Sequence, residues 1–105
     1  MWFNKLIRCA ERSPKWRTVR KRFLSDHNKC EVCGTTKDLE VHHIVPVHID
    51  PTLELEESNL ITLCGKSCHL LFGHFMDWKS HNPEVVKDCS VLKEKIRNRP
   101  YDQSI

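Results

Sequence analysis

Leu39-Glu40-Val41-His42-His43-Ile44-Val45-Pro46 is the stretch whose reading decides the fold. Leu39, Val41, His43 and Val45 alternate onto one face of an extended chain, the period of a β-strand, and Pro46 ends easy strand pairing. The next short apolar run, Leu60-Ile61-Thr62-Leu63, reads as the partner strand. Residues 47–58 between them read as a loop with Pro51 and four acids, Asp50, Glu54, Glu56 and Glu57, of which the three glutamates are expected to form a solvated face. Strict alternation sends His42 and His43 to opposite faces, so the strand must twist or finish here if both are to serve one site.

Cysteines bracket this hairpin. Cys30-x2-Cys33 with Gly34 reads as a knuckle, in which two thiolates wrap one tetrahedral ion and Gly34 permits the tight turn. Cys64-x3-Cys68 follows the second strand, and His69 comes directly after it. Four thiolates at these spacings predict a closed structural zinc site that ties the knuckle to the start of a third helix. Structural zinc of this kind supplies folding free energy that a lean core lacks. Cys9 and Cys89 belong to no motif and read as small hydrophobes on helices.

Helical patterns flank the hairpin. Trp16, Val19 and Phe23 form an apolar stripe opposite Arg17, Arg20 and Lys21, which predicts a helix over residues 14–24, with an earlier helical turn around 3–12. Ser25-Asp26-His27-Asn28 breaks it. From Ser67 onward Leu71, Phe75 and Trp78 share a helical face, expected to pack in the core together with Phe72. Asn82-Pro83 ends that pattern, and Pro83 opens a last helix over 83–99 carrying Val85, Val86, Cys89, Leu92 and Ile96. Hence an α+β chain is expected: one domain, residues 1–105, with a core over 28–80, a basic helical arm over 1–27 and a C-terminal helix.

The chain has 105 residues, 39% of them hydrophobic and 30% charged, with six Cys, seven His and a net charge of +3. No segment approaches membrane-spanning length, and the N-terminus lacks a signal peptide's pattern, so a cytoplasmic protein with reduced thiols is expected. Charge is segregated. Lys5, Arg8, Arg12, Lys15, Arg17, Arg20, Lys21 and Arg22 stand against one acid, Glu11, whereas the middle is acidic. Such asymmetry suits a polyanionic partner at one surface.

The remaining chemistry lies in the histidines. Phosphodiester hydrolysis needs a water stripped of its proton, a Lewis acid on the phosphate and an electropositive site. A neutral His takes that proton near pH 7 once an oxygen accepting from its other N–H holds it in one tautomer, and Asn59 on the opposing strand can supply that oxygen. His27, His48 and His81 read as solvated loop residues.

Taken in order, Cys30-x2-Cys33, Leu39-Glu40-Val41-His42-His43-Ile44-Val45-Pro46 and Asn59-Leu60-Ile61-Thr62-Leu63-Cys64-x3-Cys68-His69 resemble the HNH endonucleases of the ββα-metal superfamily. The likeness spans residues 30–78, and His69-Leu70-Leu71-Phe72-Gly73-His74 with Trp78 is similar to phage-encoded members. It implies a small ββα-metal core (β-hairpin plus helix) stapled by the cysteine zinc site, with flanking helices. It implies His43 as general base, Asn59 as the residue that orients it, and His69 as a ligand of a catalytic divalent metal. His42 falls at the other metal-ligand position. An imidazole set favours Zn2+, Mn2+ or Ni2+ over Mg2+. His74 is a further candidate ligand. Five α-helical steps put it roughly 140° from His69, and a distortion at Gly73 would bring it back.

The substrate implied is DNA, met mostly through phosphates with weak sequence specificity. From charge alone, Arg17, Arg20, Lys21 and Arg22 are expected to grip the flanking backbone, with Lys66 and Lys79 beside the motif as further candidates. Phage members imply a place beside genome-packaging proteins, for a monomer or weak dimer. Two rival readings stand beside this one. A non-catalytic zinc-bound DNA-binding module keeps the cysteines and the basic residues but needs neither His43 nor Asn59. The other is a small interaction subunit whose active site works only in a larger complex.

Overall fold

A computed structural model describes residues 12–102. The expected N-terminal turn over 3–12, together with Cys9, Lys5 and Arg8, lies outside that range but for Arg12. Helix α1, Trp16–Asp26, follows a turn at Pro14-Lys15 and runs into the breaker cluster, two residues beyond the expected end. Its apolar stripe is why it docks: Phe23 is buried, Trp16 and Val19 are half-buried against β1, and Arg17, Lys21 and Arg22 stay exposed.

Strands β1 (Leu39–His43) and β2 (Leu60–Cys64) form an antiparallel pair, with Leu39 opposite Cys64 and His43 opposite Leu60. β1 stops at His43, two residues before the expected end, because Asn59 captures the next backbone groups. The Ile44 N–H donates to the Asn59 carbonyl at 2.8 Å, and the Val45 N–H donates to Asn59 Oδ1 at 2.8 Å. β2 is buried along its whole length. Ile61 and Leu63 join Cys30, Val32, Cys64, Cys68, Val85 and Cys89 in the core, while the Thr62 hydroxyl donates to the His27 carbonyl at the end of α1. The Glu31 N–H donates to the Thr62 carbonyl and fastens the knuckle to β2. Gly34 turns the knuckle at φ 77°, in the left-handed region glycine tolerates.

Helix α2, Val85–Arg97, presents Val85, Cys89, Leu92 and Ile96 at helical spacing to this core. Asp88 in its first turn and Lys95 and Arg97 in its last complement the helix dipole. Cys89 is 2% exposed, a core residue. Hairpin, helices and cysteine cluster together make the α+β, ββα-metal architecture. Among the described residues no helix is long and apolar enough to cross a membrane.

Two expectations are corrected. The segment after Cys68 is a single wide turn, a π-helical stretch over His69–Gly73, and Phe75 (φ 51°) and Met76 (φ 67°) then reverse the chain. With no second turn of helix, Leu71, Phe75 and Trp78 form no core face; they are 45%, 56% and 56% exposed, and Phe72 alone of this segment's aromatics packs on the core. The loop over 47–58 carries two 3-10 turns, Pro51–Leu53 and Glu57–Asn59, and folds Glu54 inward to 7% exposure instead of leaving it solvated.

Candidate active site and metal centres

The knuckle and the end of β2 bring Cys30, Cys33, Cys64 and Cys68 together, with all four sulfurs within 4.8 Å of one another. Thiolates bound tetrahedrally at about 2.3 Å stand about 3.8 Å apart, and the Cys33 and Cys64 sulfurs are 3.8 Å apart. The three-residue spacer Gly65-Lys66-Ser67 forms a turn that aims amides back at the Cys64 sulfur. Burial works to raise the Cys64 thiol, but the backbone N–H groups of Cys68 and Ser67, with the side chains of the same two residues, outweigh it and hold the thiol down to about 6. Burial pushes Cys33 and Cys68 up. A cation among them reverses that penalty, since a metal deprotonates a coordinating thiol outright. The donor set fits a structural metal ion.

The second cluster gathers His42, His69 and His74, whose ring nitrogens also lie within 4.8 Å of one another. His42 comes from the end of β1, and the other two come from the π turn. An α-helix separates residues five apart, but a π turn closes i→i+5 and returns the fifth residue to the same side, so His74 joins His69. Gly73 makes room: a Cβ there would stand 2.9 Å from the His42 ring and 3.1 Å from that of His69.

Outer partners fix the tautomers. The Nδ1–H of His69 donates to Glu40 Oε1 at 2.7 Å, and the Nδ1–H of His74 donates to the Ser80 carbonyl at 2.7 Å. In the neutral form both rings therefore turn a bare Nε2 inward, 3.2 Å apart, and the His69 Nε2 is also 3.1 Å from His42 Nδ1. Two lone pairs at that distance repel unless they share a cation. Imidazole nitrogens on one tetrahedral ion at about 2.0–2.1 Å stand about 3.3 Å apart, so the residues fit a divalent metal. Burial, then the neighbouring His69 and His74, pushes His42 down to about 3, and burial lowers His69. Neutral imidazoles are the ligand form. Three protein ligands beside a cavity form the open pattern of catalytic metal sites.

His43 occupies the opposite side of the strand end, where its ring lies 4.5 Å from that of Trp16. Its Nε2 stands 2.9 Å from the Glu54 carbonyl oxygen. A carbonyl only accepts, so Nε2 carries the hydrogen and Nδ1 is left able to take a proton. Burial lowers its basicity, partly offset by that carbonyl. His42 and His43 nevertheless line one cavity of about 490 Å3, with His69, His74, Trp78 and His81 on its walls. The strand ends at His43, so both side chains reach the same space.

Asn59 is 5% exposed and holds the loop rather than the ring: besides accepting from Val45 N–H, its Nδ2 donates to the carbonyls of Val45 at 3.0 Å and Leu53 at 3.3 Å. The oxygen on His43 is the backbone oxygen of Glu54, in the loop that Asn59 pins. The Glu54 carboxylate accepts from the Ser13 N–H at 3.2 Å and pairs with Arg12 at 4.0 Å. Arg12, packed over the Trp16 ring, also lines the cavity.

Of the basic residues, Lys79 lies on the cavity wall, and Arg20 and Lys66 flank Glu40 in an adjoining depression, where Lys66 pairs with Asp38 at 3.8 Å. Arg17, Lys21 and Arg22 are exposed on α1. His27 and His48 are exposed, whereas His81, given no role above, is half-buried. Glu40, Glu54, Arg12 and Ser80 had no site role in the sequence reading, whereas Gly73 was expected as the point of distortion that returns His74 to His69. Of those four only Glu40 carried a signal, since it sits two residues before His42 on the same face of β1.

Comparison with protein families returns a match to the HNH endonuclease model over residues 30–74, the segment that holds both clusters. No curated protein and no solved structure matches the chain.

Proposed function

From the HNH endonuclease match of residues 30–74, we propose that the chain is a metal-dependent DNA endonuclease that hydrolyses phosphodiester bonds. The observation that carries this reading is one cavity with three lone-pair-bearing imidazoles on one side and a fourth, tautomer-fixed imidazole on the other. His43 acts as general base: its Nε2–H stays on the Glu54 carbonyl while Nδ1 takes the proton of the attacking water. Asn59 keeps that carbonyl in place through Val45 and Leu53. His42, His69 and His74 hold the catalytic ion, with Glu40 and Ser80 orienting two of them. A divalent ion seated there supplies Lewis-acid stabilisation of the phosphate and leaving oxygen. The four cysteines hold a structural zinc that fixes the π turn against the hairpin.

DNA approaches through its phosphates, with Arg17, Arg20, Lys21 and Arg22 on the flanking backbone and Lys79 and Arg12 nearer the cut. Contacts of this kind give affinity with weak sequence preference. For a phage-encoded member, the resemblance suggests work alongside genome packaging. The test is cleavage of supercoiled plasmid by zinc-loaded protein with added Mn2+, Ni2+ or Mg2+. Nicked or linear product is expected. Tight plasmid binding with no cutting under any of these ions would instead establish the non-catalytic module.

A further inference from the structure

We propose that Asn82 is a positioning residue for the histidine metal site, acting as the clamp that keeps the π turn open. Widening a helical turn leaves carbonyls without their usual amide partners, and buried carbonyls need replacements. Asn82 supplies two. Its backbone N–H donates to the Gly73 carbonyl at 2.9 Å, and its side-chain Nδ2 donates to the Phe72 carbonyl at 2.9 Å. The side chain is 1% exposed, so these bonds have no competing water.

The same side chain reaches the other way. Nδ2 also donates to Asp88 Oδ2 at 2.8 Å, and Oδ1 accepts from the Glu84 N–H at 2.9 Å, an Asx turn that leads into α2. Asn82 therefore joins the last residues of the π turn to a helix anchored in the core by Val85, which is fully buried. Along the chain His69 and His74 flank Phe72 and Gly73, the residues whose carbonyls are clamped. Ser80 closes the loop between them: its hydroxyl donates to the His74 carbonyl at 2.8 Å, and its own carbonyl orients the His74 ring. Without the Nδ2 donor the turn has reason to tighten toward α-helical spacing, which swings His74 away from His69.

The experiment uses the full chain with zinc on its cysteines and follows Co2+ binding by calorimetry, with thermal unfolding measured alongside. Asn82→Ser keeps an oxygen able to make the turn into α2 but lacks the donor to Phe72. Asn82→Asp combined with Asp88→Asn keeps the shape and avoids two facing carboxylates, and it likewise loses the Nδ2 donor to Phe72. Both are expected to weaken Co2+ binding about 10-fold or more while folded, within the range seen when outer partners of metal ligands are removed. A folded variant of either kind that binds Co2+ within about twofold of the parent (the same order as ordinary scatter between sites) would overturn the proposal and leave Asn82 a helix-leading residue only. Binding is read without DNA, so a parent protein that takes up Co2+ but cuts nothing would refute the nuclease reading and leave this inference standing.

Discussion

Gly73 and Glu40 show how single residues set the histidine site. A methyl at Gly73 would press against the His42 ring, which is packed between strand and turn and has nowhere to go. Gly73→Ala is therefore expected to weaken metal binding at the histidines about 10-fold or more, read by Co2+ titration. Gly65 is the contrasting case. A Cβ there meets the Glu40 carboxylate at 2.8 Å, the end of a flexible side chain that can swing aside at the expense of its bond to His69. Glu40→Ala removes that bond outright, and a fall of about 10- to 100-fold in Co2+ affinity with little change in unfolding temperature is expected. An unchanged affinity would show that Glu40 is only a surface neighbour. The histidine doublet and the cysteine pairs were legible because ligand chemistry is written in residue type and spacing. Glu54 was not: an acid in a Pro-containing loop reads as solvated, and only the folded loop brings Ser13 and Arg12 to its carboxylate and its own carbonyl to His43.

At the scale of elements, the hairpin and both flanking helices followed from apolar period, with ends displaced by about two residues. The π turn did not. Leu71, Phe75 and Trp78 keep a helical period that the backbone abandons after His74, where Phe75 and Met76 turn to positive φ and leave those side chains exposed. Trp78 still contributes, with its ring 5.1 Å from His69 and 4.9 Å from His74. The reversal has a cost: Met76 is 64% exposed at φ 67°, a conformation that costs a non-glycine residue about 1 kcal/mol or more. Met76→Gly is expected to leave stability unchanged or raise it by up to about 1 kcal/mol, measured by urea unfolding. A core methionine would instead lose about 2 kcal/mol or more on truncation, so a loss of that size would show the tip to be packed.

For the whole molecule, an ion on the cysteines would link metal and fold. Cys30, Cys64 and Cys68 are core members as well as candidate ligands, clustered with Ile61, Leu63 and Val85, so without an ion their thiols would stand within the core. A strong chelator at neutral pH is expected to abolish the cooperative unfolding transition seen by near-ultraviolet circular dichroism, with zinc restoring it. Charge acts over the same scale. Removing Arg17 and Lys21 together is expected to weaken duplex binding and lower the slope of log affinity against log salt by about 2, one per lost phosphate contact; an unchanged slope would take α1 out of the interface. The central claim, that His43 moves the proton while its neighbour His42 belongs to the metal, is tested most directly by His43→Ala under single-turnover plasmid cleavage, with Co2+ affinity measured in the same preparation. Cleavage slowed about 10²- to 10⁴-fold at unchanged metal affinity is the predicted result; cutting at the parent rate would contradict it.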